Sequence, residues 1–394
     1  MLTNIFKKYK LFLFIILAII LGILVGSMKH ATVLIDSCVL LSSVLGKIIS
    51  FFVPLIVVAF VTQGIVSLEK SSGRILGITI CISYIFMISA GILAFFVGKN
   101  IFVNFFDPGK ILSLSLNTAR ENIFSSLPKI EVAPLFEIIP AMIISFALGI
   151  GLNLTGGVYF KKIIAEFYKI IELIVRKLLV SILPFYVFGT FVGLASSGNF
   201  LIVMSMFYKV FITIILLHWF CLFFQFCIAG VIAKQNPLKL IKNIFPVYLT
   251  GMATQSSVAT IPISMQAAHK LSLSEAVINF VVPFCSTVHL TGSIISITSC
   301  SIAVMILNNI KINFPTMFMF IIALGVMMVA APGVPCGAIL AASSLLGSFL
   351  GFDSSMIALM IALHVCQDGF GTACNVCGDN AIAVIINKIY KKKC

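Results

Sequence analysis

Charged side chains are scarce in this sequence. Only 10% of the 394 residues are Asp, Glu, Lys or Arg, whereas a soluble globular domain averages about 25%. Acidic residues are the rarer sign, with 12 of them against 26 Lys and Arg. A water-exposed surface cannot be built from so few charges. The composition therefore excludes a soluble globular protein.

The sequence also lacks the features of two common function classes. It contains no H-E-x-x-H, no G-x-S-x-G and no recognisable nucleophile–base pair, so nothing indicates an enzyme. A net charge of +14 could indicate nucleic-acid binding in a soluble protein. Here the basic residues lie at both termini and in short connections, as expected next to a membrane. No nucleic-acid partner is expected.

Long apolar runs dominate what remains. Hydrophobic residues make up 61% of the chain, and its mean hydropathy is +1.20. Runs of about 18 or more apolar residues recur along the whole length, and each can cross a bilayer core of roughly 30 Å. The first run follows three lysines and is too long for a cleaved signal peptide. The sequence predicts an all-α polytopic membrane protein whose surroundings are a lipid bilayer.

The runs divide the chain into spans and interrupted segments. Spans are predicted at 11–29, 38–66, 75–98, 135–157, 167–195 and 204–233, with a long polar connection at 99–134. Two interrupted apolar regions, 244–268 and 313–350, then alternate with two long helices, 272–308 and 354–390. Eight full crossings place the lysines at both ends of the chain in the cytoplasm, by the positive-inside rule. A plasma (inner) membrane location is expected.

The interrupted regions carry Gly, Pro and Ser at their centres. Paired broken segments in corresponding positions are the best sequence indication of a transporter binding site. Broken backbone at membrane depth survives only where protein or a cavity satisfies its polar groups. The pattern predicts two re-entrant helical hairpins, each followed by a long helix.

The last helix bears a polar stripe. Asp368, Thr372, Asn375 and Asp379 stand at i, i+4, i+7 and i+11, which one face of an α-helix brings into line. Asp368 lies about 21 Å along the helix from Ser354, deep in the bilayer. An intramembrane carboxylate costs about 2.5–3.5 kcal/mol even on the mildest scale. The stripe is therefore a candidate for binding a cation and an ammonium group.

A second polar patch interrupts the preceding helix. It comprises Ser286, Thr287, His289, Thr291, Gly292 and Ser293. Gly292 predicts a local break that would expose carbonyl oxygens. His289, and His364 one turn before Asp368, are either proton carriers or neutral hydrogen-bonded histidines.

These motifs resemble the dicarboxylate/amino acid:cation symporter family, which has the glutamate-transporter fold, over essentially the whole chain. The resemblance rests on Thr254–Ser257, Thr260–Met265, Gly333–Gly337, and Asp368 with the N-x-x-G-D run Asn375–Asp379. It implies eight transmembrane helices, two re-entrant hairpins, inverted repeats and a homotrimer. It also implies that helices 1–6 (residues 1–233) form the scaffold and part of the transport domain, while residues 234–394 form the transport core.

The resemblance further implies roles for single residues. Asp368 would bind the substrate ammonium, and Thr372 and Asn375 its backbone groups. Ser256 and Ser257 at the first hairpin tip, with Gly333 and Val334 at the second, would bind the α-carboxylate. Ser293 would also belong to the substrate site. Asp379 and the Asn375 carbonyl would bind one sodium ion. Carbonyls near Ala330 and Ala331, with the broken helix at His289, would bind a second.

Departures from the family pattern shape the expected function. The two positions where acidic-substrate members carry an arginine are Gly371 and Gln255. The family motif N-M-D-G-T corresponds to His289–Ser293 in this sequence. Thr291 therefore replaces the aspartate of a further sodium site, and Ile88 replaces a hydroxyl-bearing residue of that site. The leading expectation is sodium-coupled symport of a small neutral amino acid such as serine, threonine or alanine. The alternatives are a proton-coupled amino acid or dicarboxylate symporter and a channel-like, anion-conducting paralogue.

Overall fold

The computed structural model describes residues 10–28, 32–66, 73–105, 138–196, 200–329, 331 and 336–391. These residues are almost entirely helical, and no strand occurs among them. Most of the predicted polar connection 99–134 lies outside the described residues. So do three residues predicted in the second hairpin, Ala330, Gly333 and Val334.

The first half of the chain forms seven consecutive helices within the described ranges. They are α1 (Lys10–Gly26), α2 (Thr32–Val66), α3 (Gly73–Ile101), α4 (Ile138–Thr155), α5 (Val158–Ile174), α6 (Val180–Ser196) and α7 (Phe200–Ala233). A π-helical turn, Val175–Leu179, joins α5 to α6 without a gap. The span predicted at 167–195 therefore belongs to a helical segment that begins at Val158. Its first part escaped the hydropathy pattern because α5 is polar on one side and buries Ile164 and Ile171 on the other.

The second half forms helices that match the predicted interruptions. They are α8 (Pro237–Thr254), α9 (Ser257–Lys270), α10 (Glu275–Val288), α11 (Thr291–Leu307), α12 (Phe314–Val329), α13 (Gly337–Leu350) and α14 (Ser354–Lys391). Each interrupted region is a pair of helices in mutual contact, α8 with α9 and α12 with α13. The first pair separates at Gln255, whose φ of 51° is left-handed, and the second pair resumes after Cys336, with φ of 63°.

The long helix predicted at 272–308 is broken, as the sequence indicated, but not at Gly292. His289 and Leu290 leave the helical region with φ near −111° and −115°, and α11 starts at Thr291. The freed amide of Leu290 donates to Met87 Sδ of α3 at 3.4 Å. The predicted break is confirmed, and its position shifts to the two residues before α11.

Helix packing surrounds α11 and α14 with protein. Both contact α7, and α14 also contacts α8, α10 and α11, while α3 lies against α11. Every residue of α11 from Thr291 to Met305 is buried. The helices α1, α2, α4 and α6 also contact one another, chiefly α1 with α6 and α2 with α4 and α6, while α13 contacts α2 and α14 contacts α6. The most polar stretches of the second half are therefore shielded from lipid.

Several helices are long and apolar enough to cross a membrane. Among the described residues these stretches are Thr32–Phe60, Ile75–Phe105, Phe207–Ala233, Glu275–Leu307 and Ser354–Tyr390. The prediction of an all-helical membrane protein is confirmed. The number of crossings and re-entrant hairpins stays a prediction, as does the division at residue 233.

Candidate functional site

The polar stripe predicted on the last helix is buried along its whole length. Exposed fractions are 6% for Asp368, 4% for Thr372, 2% for Asn375 and 0% for Asp379. The helix carries these side chains because α14 continues unbroken from Ser354 to Lys391. Asp368, Asn375 and Asp379 each meet a different part of the surrounding structure and therefore have different hydrogen-bond partners.

Asp368 meets the second interrupted region. Its Oδ2 accepts a hydrogen bond of 2.8 Å from the backbone N–H of Cys336, immediately before α13. Its Oδ1 lies 3.6 Å from Nε2 of His364, one turn earlier on the same helix. The ring nitrogens of His364 have no hydrogen-bond partner among the described residues. The Asp368 carboxylate thus accepts from the Cys336 amide the kind of N–H hydrogen bond that an ammonium group could also donate.

Asn375 completes the start of α11. Its Oδ1 accepts from the backbone N–H of Gly292 at 2.7 Å and of Ser293 at 3.4 Å, and its Nδ2 donates to Ser293 Oγ at 3.1 Å. The residue at the N-cap position, Leu290, has no side-chain oxygen to offer. Because the first amides of a helix have no partner within it, Asn375 acts as a cap supplied by another helix. The predicted substrate residues Ser293 and Asn375 therefore contact each other directly.

Gly292 lies at a close approach of α11 and α14. A Cβ built on Gly292 would lie 2.3 Å from the carbonyl oxygen of Gly371 and 2.8 Å from Cys374 Cβ. The sequence predicted a helix break at Gly292. In the structure, the absence of a side chain at Gly292 instead allows α11 and α14 to pack closely. Gly371, where acidic-substrate relatives of the predicted family would carry arginine, faces this same contact.

Asp379 belongs to a chain of hydrogen bonds that links four helices. Its Oδ2 accepts from Ser286 Oγ and its Oδ1 pairs with His289 Nδ1, each at 3.0 Å. The other ring nitrogen of His289 pairs with Thr291 Oγ1 at 2.6 Å, and Gln225 Nε2 donates to the same oxygen at 3.4 Å. His289, Thr291 and Asp379 are all fully buried.

The donor set around Asp379 bears on the sodium ion expected there. A hard cation takes several oxygen ligands, whereas His289 and Ser286 both pair with this carboxylate as hydrogen-bond partners. The sequence assigned one sodium ion to Asp379 and the Asn375 carbonyl. It assigned a second to the broken helix at His289 with carbonyls near Ala330 and Ala331, and both sites stay predictions.

The first interrupted region presents its hydroxyls at the start of α9. Ser256 is the N-cap residue, and its Oγ accepts from the Ala259 amide at 3.3 Å. Ser257 follows and is buried, with 6% exposure. In the second region, Ala331 is buried and its amide donates to Met328 O at 3.2 Å. The roles predicted for Ala330, Gly333 and Val334 fall outside the described residues.

Sequence reasoning missed two polar residues of α7 that contact the site. His218 Nε2 lies 2.9 Å from Gly292 O and 3.2 Å from Ser296 Oγ, and Gln225 reaches Thr291. The two stand seven residues apart in a mostly apolar helix, so they lie on one face. That spacing was a usable signal. The backbone amide of Cys336, in contrast, has no side-chain signature.

Broken helices that bury acidic, amide and hydroxyl groups inside an apolar helical bundle define a membrane transporter. The model of the sodium:dicarboxylate symporter family matches residues 11–389. The chain belongs to this family, which confirms the resemblance found in the sequence. The description of this family names symporters, which are transporters rather than enzymes.

Characterised relatives match shorter stretches. A serine/threonine transporter, SstT, from Acinetobacter baylyi is 27% identical over 164 residues, 41% of each chain. Human neutral amino acid transporter A is 27% identical over 227 residues, which are 57% of this chain and 38% of the relative. Human excitatory amino acid transporter 5 is 28% identical over 162 residues, 41% of this chain and 29% of the relative. The matches thus span less than half of the length of these relatives.

Proposed function

We propose that this protein is a secondary active transporter that couples the movement of a cation to the uptake of a small neutral amino acid such as serine, threonine or alanine. The observation that carries the proposal is Asp368, a buried carboxylate bonded to the Cys336 amide beside a helix interruption. A substrate ammonium would take the place of this N–H donor. The substrate carboxylate would be bound near the tips of the two interrupted regions, by Ser256, Ser257, Gly333 and Val334, with Thr372, Asn375 and Ser293 nearby.

Selectivity for neutral substrates follows from the two positions where the resemblance would place an arginine in acidic-substrate members. Gly371 has no side chain, and Gln255 is uncharged. An anionic substrate side chain would therefore be buried without a cationic partner, which is costly. Two of the three relatives described above are named for serine and threonine or for neutral amino acids.

Sodium is the proposed coupling ion, with carbonyl oxygens near Ala330 and Ala331 as ligands. Main-chain carbonyls do not depend on side-chain identity, so this arrangement tolerates substitutions elsewhere. Proton coupling is the second candidate. The observation that favours it is the pairing of His364 with Asp368, where a buried ring lacks hydrogen-bond partners in the described structure.

The assembly and orientation extend the same proposal. A homotrimer in the plasma (inner) membrane agrees with the resemblance to the family, and cytoplasmic termini agree with the lysines near both ends of the chain. An anion-conducting channel has no need for a carboxylate such as Asp368 inside its pathway. The carboxylate therefore favours amino-acid transport over that alternative.

The test measures uptake of labelled serine, alanine and aspartate into proteoliposomes under separate sodium and proton gradients. Breaking a buried ion pair costs about 3–5 kcal/mol, and about 1.4 kcal/mol is tenfold in affinity. We therefore expect Asp368→Asn to lower serine uptake by at least about a hundredfold.

Asp353→Asn is the matched control. Asp353 is exposed and caps the start of the same helix, accepting from the Ser355 and Met356 amides at 2.9 Å. Asparagine caps helices about as well as aspartate, so uptake should persist in this variant. Normal serine uptake by a monodisperse Asp368→Asn protein would contradict the proposal.

A further inference from the structure

The hydrogen-bond chain at Asp379 is continuous and has one direction. With the proton of the His289 ring on Nδ1, Gln225 donates to Thr291, Thr291 donates to His289, and His289 donates to Asp379. Ser286 donates to the remaining carboxylate oxygen. Each donor in the chain is aimed towards Asp379, so the negative charge is satisfied from both sides by protein groups.

The position of the His289 ring is fixed by its surroundings. A Cβ on Gly378 would lie 2.6 Å from His289 Cε1 and 2.5 Å from Gln225 Oε1, so this turn of α14 must lack a side chain. The ring of Phe86 lies edge-on at 6.3 Å between centroids. The imidazole therefore cannot move away from the carboxylate without displacing α3, α7 or α14.

A cation at Asp379 would compete with two donors that the protein already supplies. The carboxylate carries one negative charge, and hydrogen bonds from His289 Nδ1 and Ser286 Oγ already stabilise that charge. The imidazole beside Oδ1 presents an N–H group, whereas a hard cation takes oxygen ligands. Displacing either donor would leave it buried and unpaired, which is costly.

We propose that the imidazole of His289 takes the place of a coupling cation at Asp379, so that this carboxylate binds no sodium ion during transport. The inference deepens the proposed function, on which it rests for the meaning of coupling. Sodium would then bind at the main-chain carbonyls around Ala331. The His289 ring belongs to the protein and, unlike a coupling ion, is not released on the other side of the membrane.

The experiment compares sodium with choline at equal ionic strength, in purified protein without any amino acid. The readout is the midpoint of thermal unfolding, which rises when an ion binds the folded state. The variants are Asp379→Asn, His289→Asn and the double variant. Asparagine removes the ring and presents a shorter side chain with an amide oxygen, which a hard cation accepts as a ligand.

His269→Asn is the matched control. Its Nδ1 lies 3.3 Å from Oε1 of Glu275, so this imidazole also pairs with a carboxylate. Both side chains are largely exposed, and the pair lies outside the site. The replacement therefore removes an imidazole beside an acid without changing the surroundings of Asp379. The sodium response of His269→Asn should equal that of the wild-type protein.

We expect Asp379→Asn to leave the wild-type sodium response unchanged. His289→Asn should show a larger sodium-dependent rise in unfolding midpoint, and the double variant should lose that gain. A reduced sodium response in Asp379→Asn would overturn the proposal, and so would a folded His289→Asn protein without any gain. If one variant fails to fold, the other still decides, because each carries an overturning result of its own.

The same preparations separate this inference from the proposed function. Absence of amino-acid uptake under every gradient would count against the function, whereas the sodium comparisons need no transport and would remain valid. If the wild-type protein shows a sodium response and serine uptake, and Asp379→Asn loses that response, the result would contradict only the proposed replacement of the ion by His289.

Discussion

The contact between Gly292 and Gly371 allows a sharp test of the site geometry. In Gly292→Ala, the new methyl carbon would lie 2.3 Å from the Gly371 carbonyl oxygen. A relaxed contact of this kind is about 3.3 Å or longer, so α11 and α14 would have to separate by about 1 Å. Because both helices are buried and packed on every side, this shift strains the surrounding core.

The cost can be worked from two effects. Overpacking in a dense core typically costs about 1–3 kcal/mol. The same shift would lengthen the 2.7 Å bond from the Gly292 amide to Asn375 Oδ1. An unsatisfied buried donor costs a further 1–3 kcal/mol or so. We therefore expect Gly292→Ala to lower the free energy of unfolding by about 2–6 kcal/mol.

Gly371→Ala is the matched control from the opposite side of the contact. Its Cβ would lie 3.6 Å from both Gly292 C and Ser296 Oγ, an ordinary contact. Alanine also favours a helix by about 0.5–1 kcal/mol over glycine. The thermal midpoint of purified Gly371→Ala should therefore equal or exceed the wild-type value, while that of Gly292→Ala falls by several degrees. Equal midpoints for the two variants would refute the close approach.

Three more predictions concern single positions. Asn375→Leu should lower the unfolding midpoint, because two amides of α11 lose their acceptor at about 1–3 kcal/mol each. Asn375→Asp should keep most of the stability, and a similar loss in both variants would contradict the capping role. Gln255→Arg should improve competition by aspartate against labelled serine by about tenfold or more, because the buried substrate carboxylate gains a cationic partner. Unchanged competition would exclude Gln255 from the pocket. Gln225→Leu should raise the serine concentration needed for half-maximal uptake less than Asp368→Asn does, because it breaks only the outer bond to Thr291 at 3.4 Å. Total loss of serine binding would show that Gln225 reaches the substrate.

The polar stripe on α14 was predictable because successive residues of an α-helix are rotated by a fixed angle about its axis. The spacing of Asp368, Thr372, Asn375 and Asp379 requires only that the helix continue, and the structure buries all four. The interrupted regions were also visible, since glycine, proline and serine are unusual inside apolar segments. Sequence patterns therefore predicted the fold class and the alignment of the candidate site residues on one face of α14.

The partners of these residues were not predictable by the same means. Asn375 caps α11 because of the way in which α14 and α11 meet in space. The sequence pattern within either helix does not show which residues of the two helices face each other. The role of Gly292 was misread for the same reason, because a glycine needed for close packing and one that breaks a helix look identical in a sequence. His218 and Gln225 were overlooked, although their spacing on α7 marks one face.

The cap on α11 also has a consequence for how the protein is made. Gly292 and Asn375 are 83 residues apart, so the ribosome completes α11 well before its capping amide exists. During synthesis the first turn of α11 has amides without their final acceptor, in a segment destined for the protein interior. Stable burial of this segment must wait until α14 has entered the membrane, which makes the insertion of α14 the step that completes this part of the core.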